Sequence, residues 1–167
     1  MRQVISETER LIIRNWSEED IAPYAKIIGD PDVMKYIGDG QPRLYEEAVR
    51  AFEKYNGQIQ EQGWARFAVE LKKNNSIIGF CGYDHYNGEL DFGWRLGKQH
   101  WGNGYATEAA QEVLRLGVEQ FQFPRIVCIS FKENLGSLNV MKKLGLKFEK
   151  EFEFLDRGTV LQYIHEL

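Results

Sequence analysis

Two glycines one residue apart, Gly102 and Gly104, stand directly before a helical pattern, and no other feature limits this chain's possible folds as much. Glycine lets a backbone turn tightly and brings several N–H groups round to point the same way. Ala106, Ala109, Ala110, Val113, Leu114, Gly117, Val118 and Phe121 then recur at i, i+3, i+4 and i+7, the spacing of an amphipathic helix. Free amides gathered at a helix N-terminus attract an anion, most often a phosphate. The run Gln99, His100, Trp101, Gly102, Asn103, Gly104, Tyr105, Ala106 therefore reads as a site for a phosphate-bearing ligand. A plain strand-to-helix turn is the bland alternative.

Residues that are missing narrow the ligand. A P-loop carries Lys and then Ser or Thr after its last glycine, to hold the β/γ-phosphates and Mg²⁺. Here Tyr105 and Ala106 follow Gly104, which argues against ATP or GTP. A dinucleotide fingerprint wants a third small residue at position 107 and an opening βαβ unit. Position 107 is Thr, and the segment before the loop reads as an antiparallel hairpin.

A second element follows at Asn134-Leu135-Gly136-Ser137-Leu138-Asn139-Val140-Met141-Lys142-Lys143-Leu144-Gly145-Leu146. With Gln99, Gly102 and Gly104 matching a Gln/Arg-x-x-Gly-x-Gly/Ala signature that opens a helix, the chain resembles the GNAT superfamily of N-acetyltransferases, which bind acetyl-CoA. Within it the chain is similar to the RimJ/RimL type, the ribosomal-protein N-terminal acetyltransferases. Trp101 to Ala109 reads Trp-Gly-Asn-Gly-Tyr-Ala-Thr-Glu-Ala. Asn134, Ser137, Leu144 and Gly145 fit Asn-x-x-Ser…Leu-Gly-Phe, with Leu146 in place of Phe. Thr8 to Arg14 supplies an opening Thr-Glu-Arg-Leu-x-x-Arg. The resemblance implies one α/β (α+β) domain over residues 1–167, a mixed, mostly antiparallel sheet of about seven strands flanked by helices.

Composition agrees. A chain of 167 residues with 43% hydrophobic content has material for one core, burying roughly 70% of its extended-chain surface. No apolar run reaches membrane-spanning length, and Met1-Arg2-Gln3-Val4 leads into no signal-peptide core, so a cytoplasmic location is expected. Cys81 and Cys128 lack Cys-x-x-Cys spacing and read as reduced packing groups. His85, His100 and His165 lack metal-ligand spacing, so no metal site is expected. A net charge of −4 argues against nucleic-acid or anionic-membrane partners and fits a cationic substrate faintly. A monomer or homodimer is expected.

Along the chain, Thr8 to Arg14 reads as a first strand, with Ser17 or Asp20 capping the next helix and Pro23 near its start. Asp30-Pro31 breaks that helix before a short piece at Val33 to Ile37. Tyr45 to Gln62 keeps helical spacing. Strands follow at Trp64 to Leu71, Ile77 to Tyr83 and Glu89 to Leu96, the last two joined by an Asn87-Gly88 hairpin signal. Arg125 to Phe131 is an apolar strand, Asn134 to Leu144 a helix ended by Gly145, and Val160 to His165 the closing strand. Phe148, Phe152 and Phe154 fall on one face of a strand, with Glu149, Glu151 and Glu153 as a solvated row on the other.

The family resemblance assigns chemistry to these positions. It implies transfer of acetyl from acetyl-CoA to a primary amine, either a peptide N-terminus or a small amine, by direct attack. The pyrophosphate is expected on the amides from Trp101 to Ala106, and the pantetheine arm beside Phe92, Gly93, Trp94, Arg95 and Leu96. One amide of that strand would face the thioester carbonyl. Asp91 stands where the subgroup often has Glu, and can take the amine proton or simply pair with a cation. Glu89 and His85 are weaker candidates for the base. Asn134 can cap its helix, hydrogen-bond the CoA arm, or do both. Ser137 can assist the leaving sulfur, because no Tyr lies between Asn134 and Leu146 to act as the acid. A CoA-binding module with little catalysis is the alternative function.

Overall fold

The computed structural model describes residues 1–166. Its centre is a hairpin pair built from β-branched and aromatic residues, β3 (Arg66–Leu71), β4 (Ser76–Tyr86) and β5 (Glu89–Leu96), with β3 and β4 buried over most of their length and β5 partly so. Asn87 and Gly88 both take the left-handed conformation that a tight β4–β5 turn needs. Outward from β3 run β2 (Leu11–Arg14) and β1 (Val4–Glu7). Beyond β5 lie β6 (Arg125–Phe131), β8 (Thr159–Glu166) and β7 (Lys147–Glu153). The order is β1-β2-β3-β4-β5-β6-β8-β7. Every neighbouring pair is antiparallel except β5 and β6, which are parallel.

Among the described residues the sheet has eight strands, in keeping with the mostly antiparallel sheet of about seven expected. The extra one is β1, which lies ahead of the expected first strand; that strand itself begins only at Leu11 rather than Thr8. Thr8 N–H turns back onto the Leu11 carbonyl at 3.0 Å, which separates β1 from β2. No glycine, proline or asparagine marks this turn. Thr8 Oγ1 supplies the local bond instead, accepting from Leu11 N–H at 3.1 Å.

Helices cover both faces. On one lie α1 (Ile21–Ile28), the short α2 (Pro31–Met34) and α3 (Tyr45–Gln62). On the other lies α4 (Tyr105–Arg115), while α5 (Leu135–Lys143) packs beside β6. Strand alternation divides the residues between the faces. Tyr83 reaches α4, its hydroxyl donating to the Val113 carbonyl at 2.8 Å, whereas Phe80 meets Tyr24 and Tyr55 of α1 and α3. The Tyr83 hydroxyl needs Gly117, where a Cβ would lie 2.1 Å from it. Here α4 gives way to a wider π-helical turn, Leu116–Gln120, as happens when a side chain inserts into the helical hydrogen-bond ladder.

Three other expectations change in detail. Asp20 precedes α1, but its side chain does not cap it. It is buried and accepts from Arg14 Nη1 and Nη2 at 2.7 and 2.9 Å, while Arg14 Nε reaches Glu70. The β7 register shifts between Phe148 and Lys150, and Phe148 is left 56% exposed and outside the core. Glu149 is not simply solvated, for it accepts from Arg125 Nη2 at 2.9 Å and Gln162 Nε2 at 2.7 Å.

Candidate active site

Parallel β5 and β6 pair at one position, Asp91 with Val127, and then part. The opening between them is a cavity of about 260 Å³ lined in part by Asp91, Gly93, Trp94, Arg95, Asn134 and Ser137. Gly97 N–H bonds the Ile78 carbonyl on β4 at 2.9 Å, which fixes the direction of every amide before it on β5. Antiparallel alternation then turns Gly93 and Arg95 toward β4 and the amides of Trp94 and Leu96 toward the opening. The Leu96 carbonyl, on that same side, accepts from Trp101 Nε1 at 2.9 Å.

At one end of the opening sits the glycine loop. Gly102 and Gly104 have φ of +73° and +79°, conformations that an L side chain would strain. Gly104 is the residue before α4 and supplies no side-chain cap. Among the described residues, no N–H from Gly102 to Thr107 has a protein acceptor. These donors, at the positive end of the α4 dipole, can hold a phosphate or pyrophosphate. Asn103 tightens the turn, its Nδ2 donating to the His100 and Trp101 carbonyls at 3.2 and 3.0 Å. Gln99 is exposed and folds over Gly97. Tyr105 is buried and carries the Arg10 guanidinium 4.5 Å above its ring, while Ala106 is half-buried in the first turn.

Asn134 and Ser137 line the opening together. The Asn134 Oδ1 accepts from Ser137 N–H at 3.4 Å, a helix cap, and its Nδ2 donates to Ser137 Oγ at 3.2 Å. The Ser137 hydroxyl thus keeps its own hydrogen free to donate.

Asp91, Gly93 and Arg95 share the face of β5 that looks toward α1 and α3. Asp91 is 8% exposed and accepts from Arg66 Nη2 at 2.8 Å. Burial raises its pKa, Arg66 opposes that, and Asp84, its opposite number on β4, adds to the rise. Asp84 is itself held by Lys54 and Gln58 at 2.5 and 3.1 Å. A Cβ at Gly93 would meet only Asp91 Oδ2, at 3.9 Å, so the floor beside the carboxylate is open. Glu89 pairs with Arg125, and Arg125 Nη1 also reaches Glu166, at the far end of β5. His85 lies on β4 rather than in a loop, 5.2 Å from the Trp64 ring. Sequence reasoning gives no role to Arg66, Asp84 or Tyr24. Arg66 and Asp84 lie on neighbouring strands and are placed by register, while Tyr24 reaches Arg95 from α1.

The GNAT acetyltransferase domain family matches residues 10–147. The uncharacterized N-acetyltransferase YnaD of Bacillus subtilis is 34% identical over 149 residues, covering 87% of this chain and 84% of that protein. The spermidine N(1)-acetyltransferase of Escherichia coli is 26% identical, covering 87% and 78%. Among solved structures, a GNAT-family acetyltransferase from Bacillus anthracis superposes with a TM-score of 0.83 at 28% identity, covering 99% of this chain and 98% of that one. A RimL ribosomal-protein acetyltransferase in complex with coenzyme A shares the fold at a TM-score of 0.83 and 16% identity, covering 99% and 98%. The chain belongs to the GNAT acetyltransferase family, and is an acyltransferase of the N-acetyltransferase kind.

Proposed function

We propose that this protein transfers acetyl from acetyl-CoA to a primary amine by direct attack within a ternary complex. The observation that carries the reading is the single β5–β6 bridge at Asp91 and Val127, which leaves a polar-edged opening beside unpaired amides. In this reading the pyrophosphate lies on the Gly102–Ala106 amides. The pantetheine arm runs along β5 from Leu96 toward Phe92, with Asn134 hydrogen-bonding it from α5. Motif matches at Trp101–Ala109 and at Asn134 and Ser137 support the RimJ/RimL type. The free, buried Cys81 and Cys128 fit a reducing, cytoplasmic setting.

An alkyl amine with a pKa of about 10 arrives as an ammonium. Asp91, raised by burial, takes its proton, directly or through water, while Arg66 keeps the carboxylate aimed. The amine nitrogen bonds to the thioester carbon, and the Trp94 amide donates to the oxygen as charge builds there. The C–S bond then breaks, and Ser137 Oγ–H donates to the departing thiolate. Holding both substrates in line contributes several kcal/mol without any covalent enzyme intermediate. Acetyl-CoA titration by calorimetry, followed by CoA release with a panel of amines and free-N-terminus peptides, tests the reading. Tight CoA binding with amine-dependent release is expected. CoA binding with no release for any amine would leave a CoA-binding module.

A further inference from the structure

We infer that the Arg95 side chain selects acceptors that carry a carboxylate as well as the amine to be acetylated; this rests on the acetyltransferase reading above. Arg95 lines the opening on the same face as Asp91, with bare Gly93 between them. Four residues along a strand separate the two Cα atoms by roughly 13 Å. An acceptor lying across Gly93 can present an ammonium to one end and an anion to the other.

Among the described residues eight of the other nine arginines have a carboxylate partner, and the ninth, Arg157, donates to the Gly38 and Lys35 backbone carbonyls, outside the Asp91–Arg95 face. Arg66 has Asp91, Arg14 has Asp20 and Glu70, Arg10 has Glu108 and Arg125 has three glutamates. Among the described residues Arg95 enters no ion pair. Its one hydrogen bond runs from Nη1 to the Tyr24 hydroxyl at 3.2 Å. Its guanidinium lies 5.1 Å from the Phe80 ring centroid, and its Nε is buried without an acceptor. Burial keeps the Tyr24 hydroxyl neutral by raising its pKa. Neutral groups thus fix the guanidinium in place and leave its charge unanswered, which is costly in a half-buried position until an anion arrives. The planar fork suits a carboxylate. The lining as a whole holds two guanidinium groups and one carboxylate, so an added polycation meets a surplus of its own charge.

Matched amines test this with the intact protein: phenylalanine against phenethylamine, 4-aminobutyrate against propylamine, and spermidine as the cationic probe. The carboxylate-bearing member of at least one pair should show a kcat/KM about 10- to 100-fold higher, the range of a charge-assisted contact. Arg95→Gln should bring that ratio close to one, chiefly by raising KM for the carboxylate member, and Arg95→Lys should restore part of it. Thermal melts check that each variant is folded, and the Lys variant carries the comparison if Gln is not. Equal turnover within every pair, a preference for spermidine, or a ratio that survives Arg95→Gln would overturn the inference. Failure of the acetyltransferase reading looks different: no amine of any kind releases CoA, and the inference falls with it.

Discussion

Arg10 and Glu108, ninety-eight positions apart, are joined twice: the Arg10 amide donates to Glu108 Oε1 at 2.8 Å and its Nε to Oε2 at 2.7 Å. Thr8 Oγ1 adds a third bond to the same carboxylate at 2.6 Å. Arg10 Nη1 continues to the Asn103 carbonyl at 2.9 Å, inside the glycine loop. Two short sequence motifs, the opening Thr-Glu-Arg and the Ala-Thr-Glu-Ala of α4, are therefore two halves of one clamp. It pins the β1–β2 hairpin to the helix whose N-terminus is proposed to hold the pyrophosphate.

Loosening that clamp should weaken both stability and CoA binding. Burial alone would raise the Glu108 pKa, but the Thr8 and Arg10 bonds outweigh it and hold the group below the usual glutamate value. A depressed carboxylate contributes stability above its unfolded pKa, about 4.3, and loses it as pH falls through the folded value. Glu108→Gln should thus cost on the order of 1 kcal/mol at pH 7, since Arg10 is partly screened by water. The cost should shrink toward zero in acid. Urea melts of both proteins at several pH values check the sign; a difference that grows on acidification would contradict it.

The glycine loop can be tested with its own strain control. Gly104 sits at φ +79°, so Gly104→Ala both strains the backbone and puts a methyl 3.4 Å from Arg10 Nη2, beside the unpaired amides. Gly63, after α3, has φ +84°, and a methyl there would have nothing within 4 Å, so Gly63→Ala meets strain alone. Both variants should lose about 1 kcal/mol of stability. Only Gly104→Ala should weaken CoA binding, by tenfold or more in a calorimetric titration. Equal CoA affinity in the two variants would remove the pyrophosphate from this loop.

Much of this architecture is legible in the chain because periodicity and turn chemistry are local. Tyr45 to Gln62 keeps one apolar stripe and is α3 end to end. Asn87-Gly88 gives the hairpin, and Gly145, at φ +73°, ends the α5 segment. What escapes a reading of the chain is set by tertiary contacts. The π-helical turn after α4 exists because Tyr83 claims the space at Gly117, and neither residue carries a local signal for it. Asp91 is readable as a candidate base. Its partner Arg66 and its opposite number Asp84 depend on the β3–β4–β5 register, which a bulge between Val69 and Glu70 alters. The charge surplus at Arg95 is hidden for the same reason. Overall composition is acidic, while the cavity is not.

Asn134 and Ser137 should separate binding from chemistry. Asn134→Ala removes the α5 cap, costing about 1 kcal/mol, and should mainly raise the KM for acetyl-CoA. Ser137→Ala should mainly lower kcat, because its bond strengthens as charge develops on sulfur. Initial-rate kinetics with acetyl-CoA varied at a fixed amine distinguish the two. Wild-type kinetics in both variants would leave these residues as helix-capping groups only.

Asp91 carries the most direct test of the mechanism. Its carboxylate is kept from water by burial and is pushed further upward by Asp84, which makes it a better base than an exposed aspartate; Arg66 limits the shift. For wild type, kcat/KM for a primary amine should rise with pH and level off. Asp91→Asn keeps the shape but removes the basic lone pair, and should lower the rate at neutral pH by about 10²-fold or more. The deficit should narrow at high pH, where free amine is already abundant. A purely electrostatic role would instead raise the acceptor KM, respond to salt, and leave kcat almost intact. The variant also leaves Arg66 without its carboxylate, so a thermal melt must accompany the kinetics. With folding confirmed, superimposable pH–rate profiles for Asp91→Asn and wild type would take the proton from Asp91 and give it to bulk water, since His85 points to the opposite face of β4, against Trp64.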